Sequence, residues 1–324
     1  MRKYLNATNV PLSVAVFLAN DTYDHEENVV SATKLMKSVR QLILGGRVPQ
    51  EKSLVDINGL FKSRMGNALH DSIERAWIDN YVSAMEALGY PKGVISKVRI
   101  NPAPDSTEAD TIPVYLEKRS YKTVNGQKVS GKFDFVAEGR VEDFKSTSVY
   151  MFTKGTKDEE FQLQGSIYRW LNPDIITDDV IAINFLLVDF MPGRAANDPS
   201  YPKSSTPQKL ISLMPVADTE AYIANKLSQL KRYQDVPEED LPECSDKDLW
   251  RSDPEYKYYK NPEKRARSTK NFDAKQDAYS RMAADGGVGI VVEKPGQVLA
   301  CKYCPAFPIC SQKDELIADG SLQL

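Results

Sequence analysis

The stretch GKFDFVAEGRVEDFKS, Gly131–Ser146, decides how the rest of the chain reads. It divides into two short strands around Glu138-Gly139, a pair suited to a tight hairpin turn. On a strand, residues two apart share a face, so Asp143 and Lys145 project together while Phe144 points the other way. A two-residue turn at Glu138-Gly139 places Asp134 opposite Asp143, with Cβ atoms about 5 Å apart. Two facing carboxylates repel unless a cation lies between them. Hard divalent cations such as Mg²⁺ take carboxylate oxygens of this kind. The same residues also fit a solvent-facing hairpin whose acids never meet.

Outward from the hairpin, the residues ahead of it predict a helix over Gly66–Leu88, with Leu69, Ile73, Trp77, Tyr81, Ala84 and Leu88 forming its buried stripe. His70 and Glu74 lie beside that stripe, one turn apart. An earlier helix is expected over residues 30–44, opened by Ser31 or Thr33 and stopped by Gly45-Gly46. Strands are expected at Val98–Asn101, Val114–Tyr121 and Lys128–Val136, with Asn125-Gly126 as a hairpin turn. After the central hairpin, a helix over Asp158–Leu171 puts Glu160, Gln164 and Tyr168 on one side. Val180–Phe190 reads as a buried strand, Lys209–Val216 as its neighbour, and Thr219–Tyr233 as an amphipathic helix. The fold class is α/β, a mixed central sheet flanked by helices.

After Gln234 the composition becomes acidic and proline-bearing, which marks a domain edge. The chain is therefore divided into residues 1–235, with an N-terminal helical region, and a C-terminal module over residues 236–324. Residues 256–270, YKYYKNPEKRARSTK, interleave bases with aromatics. That pattern suits a nucleic-acid strand, with cations for phosphates and rings for bases, and equally a solvated loop or hairpin. The chain has four cysteines, Cys244, Cys301, Cys304 and Cys310, the last three as C-x2-C-x5-C. Four soft ligands suit a [4Fe-4S] cluster or tetrahedral Zn²⁺, and spacing does not separate the two. Sparse, clustered cysteine points to a reducing compartment and metal binding rather than disulfides. Were Cys244 not a ligand, His25 is the next candidate.

With 324 residues, 41% hydrophobic and 27% charged, the composition is that of a globular protein. Its net charge of −3 excludes a generally basic nucleic-acid coat but leaves room for a local basic groove. No apolar run approaches the roughly 20 residues of a membrane span. The short patch Val14–Ala19 follows a proline, precedes acids and lacks a cleavage site, so no signal peptide is expected.

In order, Gly66-x3-His70-x3-Glu74, GKFDF with Asp134, Asp143-Phe144-Lys145, Gln164-x3-Tyr168 and the terminal cysteines resemble the PD-(D/E)xK nuclease superfamily. The likeness is to its RecB-type exonucleases with a cysteine cluster, a group that includes AddB-like, CRISPR-adaptation-nuclease-like and phage-encoded members. It spans residues 66–310. The resemblance implies a restriction-endonuclease-like fold with a C-terminal metal-stapled module. It also implies Mg²⁺ or Mn²⁺ held by His70, Asp134, Asp143 and the carbonyl of Phe144. Lys145 would orient or deprotonate the attacking water or stabilise phosphate charge. Gln164 and Tyr168 would position nucleophile or DNA, and Glu74 would support His70. It favours iron–sulfur over zinc at the cysteines. The expected activity is metal-dependent DNA exonuclease in recombination, repair or genome degradation, in the cytoplasm of a bacterial or phage-infected cell. The expected partners are a DNA single strand or duplex end and a recombination or annealing protein. The other classes left open are a non-catalytic DNA-binding protein and a zinc-ribbon interaction protein.

Overall fold

A computed structural model describes residues 4–21, 26, 28–49, 54–103 and 110–324. His25 lies outside the described residues. The chain forms two compact units, one of residues 1–36 and 54–228, the other of residues 37–53 and 229–324.

The first unit is a mixed α/β structure. Its six-stranded sheet runs in the order Gln208–Ser212, Val180–Leu187, Arg140–Thr147, Phe135–Ala137, Ile112–Leu116, Val98–Ile100. Val180–Leu187 pairs parallel with Arg140–Thr147 and antiparallel with Gln208–Ser212, so the sheet is mixed. Ile181, Ala182 and Ile183 have no exposed surface, as their continuous apolar run requires of a strand covered on both faces. One face packs the long helix Phe61–Ala87, whose Trp77, Tyr81 and Met85 meet Val98, Val114, Leu116, Phe135 and Phe144. The other packs the helix Asp158–Leu171, whose Phe161, Ile167 and Tyr168 join Val141, Ile181 and Ile183. Gly165 allows that approach, because a Cβ there would lie 2.7 Å from Leu213 and 2.8 Å from Ile181. A second sheet, Val29–Ser31, Gln127–Lys132 and Arg119–Val124, joins the same core through Val129. Its hairpin turns at Asn125-Gly126, both with positive φ.

Three expected elements are divided. The helix over residues 30–44 is two helices, Ala32–Leu35 and Val39–Arg47. Ser38 breaks it by capping the second, its Oγ accepting from Gln41 N–H at 3.1 Å. Gly45-Gly46 does not stop that helix, which runs on to Arg47. The strand over Val114–Tyr121 breaks at Glu117-Lys118, and that over Lys128–Val136 breaks at Phe133-Asp134. At both breaks the chain passes between the small sheet and the six-stranded one.

The second unit holds an antiparallel sheet in the order Lys270–Phe272, Glu255–Tyr259, Ile290–Lys294, beside the helix Lys275–Ala284. Around the cysteines it has two small apolar clusters. Leu249, Val298, Leu316 and Leu322 meet Cys244 and Cys301, and Leu44, Leu241 and Ala306 meet Cys304 and Cys310.

Candidate metal centre

The central hairpin turns at Glu138-Gly139, with φ of +48° and +81°, the left-handed pair of a type I′ turn. A Cβ on Gly139 would strike Thr177 Oγ1, so any other residue there would displace that hydroxyl and strain a left-handed φ. The turn fixes the register at Phe135 opposite Glu142, Val136 opposite Val141 and Ala137 opposite Arg140. One step further along that register Asp134 faces Asp143, although Asp134 has already left the ladder. Its Oδ2 accepts from Phe144 N–H at 3.0 Å instead.

Asp143 is only 1% exposed, as deep as the core valines around it. Its Oδ1 accepts from Gln164 Nε2 at 2.8 Å, and the Lys145 ammonium lies 2.7 Å from Oδ2. Among the described residues Oδ2 has no hydrogen bond, and the ammonium is its ionic partner. Gln164 Nε2 also lies 2.9 Å from Tyr168 Oη, one helical turn on. Burial pushes the Asp143 carboxyl up to about 6, Asp134 adds to the shift and Lys145 opposes it. Burial also works against the Lys145 charge, but Asp143 outweighs it and holds the ammonium above its ordinary range. Burial and then the nearby carboxylates keep Tyr168 a neutral phenol.

His70 reaches the hairpin from the long helix. Its Nε2 is 2.9 Å from the Phe144 carbonyl, and its Nδ1 is 3.4 Å from Asp134 Oδ2 and 3.9 Å from Glu117 Oε1. Burial opposes a charged ring, yet hydrogen bonds to Asp134 and Glu117 raise it to about 10. His70, Glu117 and Asp134 each offer a ligand atom, all within 4.8 Å of one another, and so form a group able to hold a metal ion.

Glu117 was absent from the sequence reading. It sits at the strand break with φ +47°, its N–H donating to the Asp134 carbonyl at 3.0 Å, and its carboxylate pairs with Lys132. Consecutive charges at Glu117-Lys118 inside an apolar strand were the available signal. Glu74 lies near Glu117, and burial followed by the Glu117 charge raises its carboxyl. Asp134, Glu117 and the Phe144 carbonyl reach the His70 ring nitrogens, and the Phe144 ring meets the imidazole edge-on at 6.0 Å.

In the second unit the four cysteines are free and half-buried. Gln312 binds the Cys244 backbone twice, accepting from its N–H at 2.9 Å and donating to its carbonyl at 3.0 Å. Ser38 Oγ is 3.1 Å from Cys244 Sγ, and Arg40 Nε donates to Cys310 Sγ at 3.4 Å. The buried Arg40 guanidinium is further held by Glu238, the Leu241 carbonyl and Ser311 Oγ. Burial raises the Cys304 thiol, and the backbone N–H groups of Ala306 and Phe307 oppose that rise. Burial first, and then the neighbouring Cys304, Cys310 and Cys244, raise Cys301 to about 11. Among the described residues the cysteine sulfurs do not come within 4.8 Å of one another as a group of three or more.

The aromatic-basic segment is a strand and a loop. Tyr258 and Tyr259 are buried, and Tyr258 Oη donates to the Val288 carbonyl at 2.8 Å, so these rings are not offered to bases. Lys260, Lys264 and Arg265 are exposed on the loop beyond. Changing those three to Ala is expected to weaken single-strand binding and reduce the slope of log K against log salt by about 2, at roughly 0.7 per phosphate contact. An unchanged slope in a salt titration would leave the loop a solvated one.

No family model matches the chain, and no curated protein matches it. Among solved structures, the crystal structure of SSO0001 is similar at a TM-score of 0.39 and 16% identity, covering 67% of this chain and 81% of that one. A phage related exonuclease from Haemophilus somnus 129PT is similar at 0.28 and 11% identity, covering 64% of this chain and 93% of the other. At these scores neither likeness bears on function. Among the described residues no helix is long and apolar enough to cross a membrane.

Proposed function

We propose that the chain is a metal-dependent nuclease hydrolysing DNA phosphodiester bonds, of the PD-(D/E)xK type and with an exonuclease's preference for ends. The observation that carries this reading is a buried carboxylate, Asp143, held 2.7 Å from a lysine ammonium and next to the His70–Glu117–Asp134 group. Burying Asp143 against its own desolvation is costly, and a fold bears such a cost at sites of function. The donors are carboxylates, an imidazole and a carbonyl, which suit Mg²⁺ or Mn²⁺. The residues to hold the ion are Asp134, Asp143, His70 and the Phe144 carbonyl, with Glu117 as an added carboxylate. When bound, a divalent ion polarises the scissile phosphate and lowers the pKa of the attacking water.

The protein's own groups do the rest. Lys145, held as an ammonium, stabilises charge gathering on the phosphate, a role its raised pKa favours over that of a base. Gln164, steadied by Tyr168, fixes the Asp143 carboxylate, so both act through Asp143. The water oxygen bonds to phosphorus as the ester oxygen leaves. The water gives up one proton, the leaving oxygen takes one up, and the products are a hydroxyl end and a phosphate end. From the resemblance, the proposed place of action is the cytoplasm of a bacterial or phage-infected cell, with DNA ends and a recombination or annealing protein as partners.

The cysteines are read as ligands of one centre in the second unit. Ser38 and Arg40 hydrogen-bond the sulfurs of Cys244 and Cys310, while burial raises the Cys244 and Cys304 thiols above their ordinary range. The resemblance favours a [4Fe-4S] cluster over tetrahedral Zn²⁺ at these sulfurs. Such a centre would staple a unit whose apolar clusters are small.

End-labelled single- and double-stranded DNA incubated with Mg²⁺ or Mn²⁺ tests the activity, and an unchanged strand after a long time course would refute it. His70→Ala is expected to weaken Mn²⁺ binding by about 10-fold to 100-fold, with activity partly restored by excess Mn²⁺. A variant that binds Mn²⁺ normally but melts earlier would return His70 to a packing role.

A further inference from the structure

Lys145 has a second neighbourhood, away from Asp143. Beyond it a cavity of about 320 Å³ is enclosed by the strand Arg140–Thr147, the helix Val149–Lys154 and the helix Asp158–Leu171. Its floor is aromatic. Phe185 meets Phe152 edge-on at 5.0 Å and Phe161 at 6.1 Å, and the Lys145 ammonium stands 5.9 Å from the Phe161 ring centre. Lys157 and Lys209 reach the same cavity, with Lys209 paired to Asp158 at 2.5 Å.

We propose that this cavity takes the unpaired base of the nucleotide next to the scissile phosphate. The proposal rests on the nuclease reading above and names the substrate class of that site, a DNA strand whose reacting nucleotide is unstacked. Three features select a nucleobase. The volume lies at the lower end of the roughly 300–1,000 Å³ of small-molecule sites, room for one nucleotide unit. A phosphate held at Lys145 carries its attached base within reach of the cavity, since Lys145 belongs to both places. The floor offers ring faces and edges, and stacking on aromatics accepts any base. Lys145, Lys157 and Lys209 line the cavity beside Asp158 and Glu160, so its rim carries both signs of charge.

A base that enters a protein cavity must leave its stack and its pairing partner. Single strands and frayed ends are therefore the better substrates, and a blunt duplex must open first. Stacking on rings accepts any base, so sequence preference is expected to be weak and to come from polar lining residues such as Glu160 and Gln164.

The test uses the full-length protein with Mn²⁺ and two single-stranded oligonucleotides, one of thymidines throughout and one with a single internal abasic residue. On the first, cleavage products form an even ladder. On the second, the bond at one fixed position relative to the abasic residue is expected to be cut about tenfold more slowly, with bonds further away unaffected. Phe152→Leu, which keeps apolar volume but removes a ring, is expected to shrink that difference to about twofold, because the intact strand slows by about fivefold while the rate at the abasic position is unchanged. Phe152 is outside the metal centre. An even ladder through the abasic residue would overturn the cavity's role while leaving the nuclease standing. A thymidine strand cut nowhere would remove the nuclease reading and the base site together.

Discussion

Lys145→Ala is expected to cut DNA about 10²-fold to 10³-fold more slowly than the wild-type protein, the effect of removing one preorganised electrostatic group. Lys145 is on the strand face of Asp143 and pairs with it at 2.7 Å, while its side chain remains about one-third exposed and contributes little to the core. The fold should therefore survive. Its loss removes the charge that opposes protonation of Asp143, whose carboxyl already stands at about 6. The Asp143 pKa rises further, and a carboxylate must shed its proton to hold a metal. The acidic limb of the pH–rate profile consequently moves to higher pH in the variant, while Mn²⁺ still binds once that limb is passed. Asp143→Asn differs, losing both turnover and Mn²⁺ affinity by calorimetry. Wild-type turnover in Lys145→Ala would remove the proposed site.

The same pair of shifts sets the sign of metal-free stability. The Asp143 pKa in the folded protein lies above its ordinary 3.8, so between about 4 and 6 the folded state binds more protons than the unfolded one. His70, raised from 6.5 to about 10, contributes stability that is complete below 6.5 and lost as pH rises through 10. Metal-free protein therefore loses stability as pH rises across both windows. Mn²⁺ at a hundred times its Kd returns about 2.7 kcal/mol where the ligands are deprotonated.

Replacing any one of Cys244, Cys301, Cys304 or Cys310 with Ser is expected to release the centre and expose the second unit to proteases. Structural metal sites in small modules contribute on the order of 10 kcal/mol of apparent binding energy, which is folding energy for the segments they join. The apolar clusters here are small, and each includes cysteines among its neighbours. Anaerobically purified wild-type protein is expected to be brown, with near-stoichiometric iron and sulfide, and each variant colourless. Limited proteolysis should then cut residues 229–324 while the first unit resists. Colourless wild-type protein carrying one tightly held zinc would replace the cluster by a zinc site. Full metal content in the Cys244 variant would place the fourth ligand elsewhere.

Local chemistry determined the parts of this protein that depend on neighbours in the chain. Glu138-Gly139 dictates a two-residue turn, the turn dictates register, and a period of two then sends Asp143 and Lys145 one way and Phe144 the other. The helical period over Asp158–Leu171 likewise aligned Gln164 with Tyr168, and Gln164 now donates to both Asp143 and Tyr168. Glu117 was hidden because its position is not a local property. Residues 114–121 favour one continuous strand, but Ile112–Leu116 pairs in the six-stranded sheet and Arg119–Val124 in the small one. The chain must change sheets between them, and the left-handed turn this imposes at Glu117 delivers its carboxylate to His70. The second unit shows the same limit at longer range. Nothing in residues 37–53 announces that Arg40 will bond to Cys310, 270 positions later. A buried guanidinium finds its partners through packing, and packing is decided only when distant segments are brought together.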